Sequence, residues 1–541
     1  MDVESLLREL AWPVALLATL LGSILAVAWL TNTTYTLRDR LRDRFIGGVP
    51  WGSILVCSGV LLVYLVVQDG LANWSDPVYL PFVNWSYLYP TGVLLSGFTH
   101  AGAGHLTSNL LTAAVLAPLA EYIWGHYPST DRRFRPAPPW ERPRIRVFVI
   151  FPAIVLVAGL LSSLFAWGPV IGFSGVVFAF AGFTAVRYPL LTILLLVGRS
   201  AIREFARAFT DPISVDQVGT TVTTPWYAGV SVEGHAFGFL MGAISAILLI
   251  HHRDQSAYID PRRLWIGLLL LGMLLSLWPF WTSTGSETYV LYRAFGIVLM
   301  LVSLLAITVA AVSQPRPVWR FITRRQLAIL LVLLPLLVLA LVAIPLNLLT
   351  VVNYDQPETA LEVGDYDVYY DHNTESHFDS LLLPSNETST TSGVIVVSED
   401  RHFWTRAVSA TDLERAGSAD IPLGGLLWRE DVTIERSGWD PVGNDSTYLV
   451  EGSTDGNVES LYAAEQTTAE PVIAGHTIAI DATLERFYLD VSTDSTTYER
   501  EPVPDTNESA TFGDLTIQHE NDELVAQLNG TEVRIATWES P

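Results

Sequence analysis

The sequence predicts an α-helical polytopic membrane protein with a C-terminal all-β soluble domain. Half of the 541 residues are hydrophobic, and the mean hydropathy of +0.36 is too high for a soluble protein. Charge divides the chain: residues 1–350 hold 23 Arg and 17 acidic residues, whereas residues 351–541 hold 8 Arg and 38 acidic residues. We therefore expect an apolar, mildly basic part followed by a polar, strongly acidic part.

Apolar runs of membrane-spanning length predict the helices. The stretch 174–208 is either one long span or two short spans that meet near Arg187-Tyr188-Pro189. The other runs lie near residues 10–30, 51–68, 105–124, 146–167, 233–251, 264–283, 289–312 and 326–350.

Short Arg-rich loops predict the orientation, because such loops stay on the cytoplasmic side. These loops are 37–45, 131–146, 253–263 and 315–325. All four lie inside only if 174–208 forms two helices, about 174–187 and 189–208. We therefore expect a multi-pass cell-membrane protein with ten spans and both termini outside. Its C-terminal domain would be extracellular. The second short helix carries Arg199, Arg203 and Arg207, which must face protein or reach the interface.

All 31 basic residues are Arg. An acidic, lysine-free chain is typical of extreme halophiles, whose surface carboxylates stay hydrated in high salt, although GC-rich codon usage is an alternative explanation. Cys57 is the only cysteine, so no intrachain disulfide is possible. We expect no metal, no cofactor and no nucleic-acid partner.

The acidic part alternates Val, Ile, Thr and aromatic residues with polar ones, and turn residues separate the runs. This pattern predicts a β sandwich or barrel. The strand-like runs are 393–398, 433–436, 448–450, 476–481, 486–491, 514–519 and 532–537. The cluster Asp365, Asp367 and Asp371 could bind a cation, but a solvated face is the favoured interpretation. The partner of this domain is left open.

Three short segments carry possible chemistry, and the first contains His100, His105 and Asn109. His105 and Asn109 are four residues apart and share a helix face near the outer end of a span. There they can donate hydrogen bonds into a cavity. Alternatively, they are interfacial histidines and an Asn that joins helices.

The second segment is Gly172-Phe173-Ser174-Gly175, at the outer start of a short span. Ser174 could be a simple helix cap between packing glycines. The functional interpretation is a nucleophile on a tight turn, with backbone N–H groups at the positive helix end that can stabilise an oxyanion.

The third segment places His235 at the start of a span whose small residues Gly238 and Gly242 follow on one face. The helix after Ser174 offers a matching strip of Gly175, Ala179 and Gly182. Close approach of these faces would bring Ser174 and His235 within hydrogen-bond reach. Alternatively, His235 is a satisfied interfacial histidine.

Together, H-x4-H-x3-N, G-x-S-G and G-H-x2-G-x3-G, in that order and at outer helix ends, closely resemble the rhomboid protease family. The resemblance covers a six-helix core, about 50–251. It extends to Glu121 and Gly125, which follow Asn109 at the family spacing. The other predicted units are residues 1–49 with an extra helix, 252–351 with three extra helices, and the β-rich domain 352–541.

The resemblance implies an intramembrane serine endopeptidase that cleaves transmembrane or membrane-adjacent segments within a lipid bilayer. Ser174 would attack the peptide carbonyl and His235 would take its proton, with no Asp required. The helix at 189–208 would be a lateral gate. The remaining implied roles are oxyanion binding or support (Asn109, His105, His100, Phe173, Gly172, Gly175), stacking on the base (Phe178) and structure (Glu121, Gly125, Gly238, Gly242).

The chain departs from the family pattern in two places. Phe178 stands where many members have Tyr, and the Trp-Arg pair of the first outer loop is not visible in 69–99. An inactive rhomboid-like scaffold that binds transmembrane clients is the alternative function, and a transporter or anchor is a third.

Overall fold

The computed structural model describes residues 41–125, 139–207, 230–253, 259–283, 289–314, 316–319, 321–349, 359–375, 390–454 and 457–539. The predicted span 10–30 lies outside the described residues, as do residues 208–229.

The apolar part of the chain is helical. The helices are α1 Trp51–Val67, α2 Pro90–Leu95, α3 Ala103–Trp124, α4 Pro143–Leu164, α5 Ser174–Arg187, α6 Pro189–Arg207, α7 Val232–His252, α8 Pro261–Leu274, α9 Arg293–Val312 and α10 Arg324–Leu349. Among the described residues, α3, α4, α7, α9 and α10 are long and apolar enough to cross a membrane. We call α1 and α3–α7 the six-helix unit.

The predicted break inside 174–208 is confirmed, since α5 ends at Arg187 and α6 begins at Pro189. Tyr188 between them has φ −133° and ψ 62°, outside the helical region. A residue before proline is driven out of the helical conformation by the proline ring, which explains the position of the break.

The predicted spans 264–283 and 289–312 have the wrong inner bounds. Helix α8 stops at Leu274, and α9 starts only at Arg293. Between them, strands β1 (Trp281–Ser283) and β2 (Tyr289–Leu291) pair antiparallel. Pro279 lies just before β1, and proline lacks the N–H that a continuing helix needs, so one helix cannot run through the whole apolar stretch.

One hydrophobic core joins the six-helix unit to the additional helices. Its buried members include Tyr64 on α1, Leu116 on α3, Phe180 on α5, Leu268 on α8 and Ile307 on α9. Helices α8–α10 therefore pack directly on the six-helix unit. A short hairpin, β3 (Pro317–Trp319) with β4 (Ile322–Thr323), precedes α10.

Three arginines from the predicted cytoplasmic loops meet at the C-terminal end of α3. Arg146 and Arg253 donate hydrogen bonds to the Trp124 carbonyl at 3.0 and 2.9 Å, and Arg44 donates to that of Gly125 at 3.4 Å. These carbonyls have no partner within the helix, and cations are favoured at the negative end of its dipole. Three Arg-rich loops thus share one side of the helical unit.

The acidic part forms antiparallel sheets, and each predicted run overlaps a strand. One sheet has the order β5-β6-β7-β8, a second β12-β11-β10-β20-β19-β18-β17 with β9 on β10, and a third β13-β14-β15-β16. The elements are β5 Leu361–Val363, β6 Tyr366–Glu375, β7 Thr390–Ser398, β8 Phe403–Ser409, α11 Ala410–Ala416, β9 Ser418–Gly425, β10 Trp428–Pro441, β11 Thr447–Thr454, β12 Asn457–Ala463, β13 Thr467–Thr468, β14 Thr477–Ala482, β15 Phe487–Ser492, β16 Glu501–Pro502, β17 Ser509–Phe512, β18 Leu515–Glu520, β19 Glu523–Leu528 and β20 Thr531–Glu539.

The β domain contains two large hydrophobic cores and one small one, and the first extends into the loop between α1 and α2. Leu80, Val83 and Trp85 of that loop are buried in the same core as the strands. The Trp85 ring stacks on Phe403, with centroids 4.6 Å apart and planes at 18°. We call residues 76–89 the docking segment, because the β domain rests on it.

Ion pairs also involve the predicted acidic cluster. Asp365 pairs with Arg401, whose Nη2 lies 2.9 Å from Asp365 Oδ1. Arg401 also donates to the hydroxyl of Tyr89 in the docking segment at 3.3 Å. Asp365 therefore belongs to the junction between the β domain and the helical unit.

Candidate active site

Ser174 opens α5 after a turn that only glycine suits. Gly172 has φ +125°, a backbone conformation that residues other than glycine rarely adopt. A Cβ atom placed on Gly172 would lie 2.5 Å from His105 Cε1. The Gly172 N–H donates to Ser96 O at 2.7 Å, and the next side chain, Phe173, is fully buried. The backbone before Ser174 is thus held from both sides.

The two histidines of the first segment lie together beside this turn. The Phe173 N–H donates to His100 Nε2 at 3.4 Å. The His100 and His105 rings meet edge to face, with centroids 5.1 Å apart. Because Nε2 accepts, a neutral His100 carries its proton on Nδ1. His100 contacts the Ser174 turn through its ring, and His105 contacts it through Gly172.

Asn109 on α3 presents a buried amide to the same place. Its Nδ2 lies 3.6 Å from the position of a Cβ on Gly172. Among the described residues, this buried Nδ2 has no hydrogen-bond partner. An unpaired buried donor costs roughly 1–3 kcal/mol, and such donors are kept where negative charge develops during a reaction.

His235 lies in the first turn of α7. Ser231 caps this helix, since its Oγ accepts from the Gly234 N–H at 3.2 Å. The imidazole of His235 stacks on Phe178, with centroids 4.0 Å apart and planes at 8°. The helix cap and the stacked ring together set the position and the plane of this imidazole.

Helices α5 and α7 touch through their backbones. A Cβ atom on Gly238 would lie 2.2 Å from Gly175 O, and one on Gly242 would lie 1.9 Å from Ala179 O. A Cβ on Gly182 would lie 2.1 Å from a carbonyl of α7. This is the close approach that the two small-residue faces predicted, and Gly175 follows Ser174 directly while Gly238 lies one turn after His235.

Glu121 and Gly125 lie at the other end of α3, far from the Ser174 turn. The Glu121 carboxylate accepts from the Gly52 N–H at 3.3 Å, the Ser53 N–H at 2.8 Å and the Ser53 Oγ at 2.7 Å. A Cβ on Gly125 would lie 2.6 Å from Glu121 O. These contacts join α1 to α3.

On α6, Arg199 Nη1 donates to Thr112 Oγ1, so this arginine faces α3. Arg203 is partly buried. The side chain of Arg207 lies outside the described residues.

Gln68 is a site-linked residue that the sequence analysis missed. Its fully buried side chain donates to His100 O at 2.7 Å and to Val78 O at 3.0 Å, and accepts from the His100 N–H at 2.8 Å. The only signal in the sequence was a polar residue at the end of the apolar run 51–68. Nothing in that run indicates its partners.

Residues 89–252 match the family model described as Rhomboid domain. The match includes all three motif segments, but it spans less than a third of the 541 residues. Comparison with curated proteins and with solved structures found no match to the chain. The multi-pass helical fold and the family match together support the assignment of residues 89–252 to the rhomboid family.

Proposed function

We propose that this protein is an intramembrane serine endopeptidase with a Ser174–His235 dyad. It cleaves transmembrane or membrane-adjacent segments of other membrane proteins. The observation that carries the proposal is the buried, unpaired amide of Asn109 beside the Ser174 turn, at the end of two helices in backbone contact. In the proposed protease, this donor would bind the oxyanion that forms during the reaction.

In the proposed reaction, Ser174 Oγ attacks the carbonyl carbon of the scissile peptide while His235 takes the hydroxyl proton. Asn109 Nδ2, the His105 ring and the Ser174 N–H stabilise the oxyanion. His235 then gives its proton to the leaving amine, and an acyl-enzyme remains. A water molecule, deprotonated by His235, attacks the ester and releases Ser174 Oγ with the proton returned.

The stack on Phe178 takes the orienting role that a carboxylate has in a triad. A ring face fixes the plane of the imidazole without charging the site. His235 would then act as one half of a dyad, without a carboxylate partner.

The proposed orientation puts the dyad and the β domain on the outer side of the cell membrane. The three arginines at the end of α3 support it, because positively charged loops stay in the cytoplasm. Helix α6 is the proposed lateral gate for the substrate helix. The acidic, lysine-free surface supports a halophilic source.

The test is to label intact membranes with a fluorophosphonate, which reacts with an activated serine. Wild-type protein should be labelled, Ser174→Ala should not, and His235→Ala should be labelled far more slowly. Ser245→Ala is the matched control, because Ser245 is an exposed serine on α7. Cleavage of a single-span substrate should follow the same order.

Two outcomes would contradict the proposal. Cleavage by purified Ser174→Ala protein would exclude Ser174 as the nucleophile. Binding of a substrate helix by wild-type protein, with neither cleavage nor labelling, would favour the scaffold.

A further inference from the structure

The β domain contacts the docking segment at Val78, which a chain of hydrogen bonds connects to the candidate active site. On the docking segment, the Val78 side chain faces the backbone of β9: a Cβ on Gly424 would lie 2.9 Å from Val78 Cγ1. The Gly424 carbonyl accepts from the Tyr366 hydroxyl at 2.5 Å. Nearby, Arg429 Nη1 donates to Asp76 O. The β domain therefore holds the backbone around Val78 from outside.

Val78 is in turn tied to His100 through one side chain. The Val78 N–H donates to Gln68 O at 3.0 Å, and the Gln68 amide donates back to Val78 O at 3.0 Å. The same amide bridges both backbone groups of His100, at 2.7 and 2.8 Å. All three residues lie in the buried interior. Losing this bridge would leave buried backbone groups of Val78 and His100 unpaired, which is costly.

His100 in turn contacts the turn before Ser174, since its Nε2 accepts a hydrogen bond from the N–H of Phe173, the residue before Ser174. A second contact reaches the same turn. Ile171 packs against the hydrophobic core that the β domain shares with the docking segment, and the Asn84 N–H donates to Val170 O at 3.0 Å. The turn is thus tied to the docking segment on both sides of Gly172.

We propose that the β domain is a positioning element of the active site, and that Gln68 is the positioning residue that couples the two. This inference rests on the proposed function. Gln68 touches neither substrate nor nucleophile; it sets where His100 holds the Phe173 N–H. Displacements of about 1 Å at a catalytic group cost on the order of 10²-fold in rate, so a loosened docking segment lowers turnover.

The experiment uses full-length protein in membranes and measures kcat and KM on a single-span substrate. Gln68→Ala should lower kcat by about tenfold and leave KM little changed. Arg429→Ala, a milder change on the β domain itself, should lower kcat by about two- to fivefold. Arg429→Lys should restore turnover, because lysine can still donate to Asp76 O.

The matched control is Arg534→Ala. Arg534 forms an exposed ion pair with Glu523 on β19–β20, with 2.9 Å between Nη1 and Oε1. It should leave kcat unchanged. Equal losses in Arg534→Ala and Arg429→Ala would mean that general damage to the β domain, not docking, slows turnover, and would overturn the proposal.

Hydrogen exchange supplies a readout that does not depend on catalysis. Amides in peptides covering 98–106 should exchange faster in Gln68→Ala and in Arg429→Ala than in wild type. Unchanged exchange and unchanged kcat in both variants would overturn the coupling. Absent Ser174-dependent labelling in the wild type would instead refute the protease itself, so the two failures are distinguishable.

Discussion

The ring of Phe178 lies flat on the imidazole of His235, 4.0 Å between centroids and 8° from parallel. Both side chains come from the two helices that touch through glycines, α5 and α7. The close approach of the two helix backbones brings these rings together. Stacked aromatic pairs of the offset kind contribute about 0.5–1.5 kcal/mol beyond their buried area, which is enough to favour one orientation of the His235 ring.

Phe178→Tyr should retain activity, since the ring remains and only a hydroxyl is added. Phe178→Leu keeps the apolar volume but removes the ring face, so kcat should fall by roughly fivefold, which corresponds to losing about 1 kcal/mol of stacking energy that orients His235. Michaelis parameters on a single-span substrate check this. Equal activity of the Leu and Tyr variants would show that the stack does not orient His235.

Gly172→Ala should abolish most activity without preventing membrane insertion. The backbone at φ +125° strains any side chain, and the new Cβ would collide with the His105 ring. We expect a loss of about 10²-fold in turnover, as for a misplaced catalytic group. Gly104→Ala is the control, because a Cβ there meets nothing within 4 Å. A fully active Gly172→Ala protein would contradict the geometry of the turn.

Gly242→Ala should weaken the α5–α7 contact. Its Cβ would lie 1.9 Å from the Ala179 carbonyl, and the backbone cannot yield without separating the helices. Overpacking of this kind costs about 1–3 kcal/mol, which should appear as a lower Tm in a thermal scan. Gly59→Ala on α1, where a Cβ meets nothing within 4 Å, should keep the wild-type Tm.

Alkaline pH should lower the thermal stability of the β domain. Burial raises the pKa of the Tyr366 phenol above its usual range of about 10. When the pKa of a group is higher in the folded state than in the unfolded state, the group stabilises the fold fully at pH values below its unfolded-state pKa. This stabilisation is lost as the pH rises from the unfolded-state pKa towards the folded-state pKa. Tm should therefore fall above pH 10. Tyr366→Phe should start lower, having lost the bond to Gly424, and should decline less steeply.

The orientation is tested by treating intact cells with a protease. Cleavage should remove the acidic β domain, because the positive-inside rule assigns it to the outer side. A domain that resists digestion until the cells are lysed would reverse the topology.

Much of the helical fold was predictable because apolar length and loop charge are local properties. The break at Tyr188 followed from loop charge and is enforced by Pro189. The end of α8 before residue 283 was missed because a hydropathy window does not register proline, here Pro279. Gln68 was missed for a different reason: its importance comes from Val78 and His100, which only the tertiary fold brings to it.

The sharing of a core between the β domain and the docking segment was also invisible in the sequence. Leu80, Val83 and Trp85 lie in a loop without a regular period, so nothing local indicates strands as their partners. The close packing of α5 on α7, in contrast, was predictable from the sequence, because glycines four residues apart on a helix indicate such packing.

That shared core has a consequence for biogenesis. Leu80 precedes Leu361, another member of the same core, by 281 residues in the chain. Contacts of such separation form late, after the ribosome has made both partners. If docking positions the Ser174 turn of the proposed protease, full activity requires that the β domain, which is made after the helical unit, has folded, and neighbouring membrane proteins would be spared from cleavage until then.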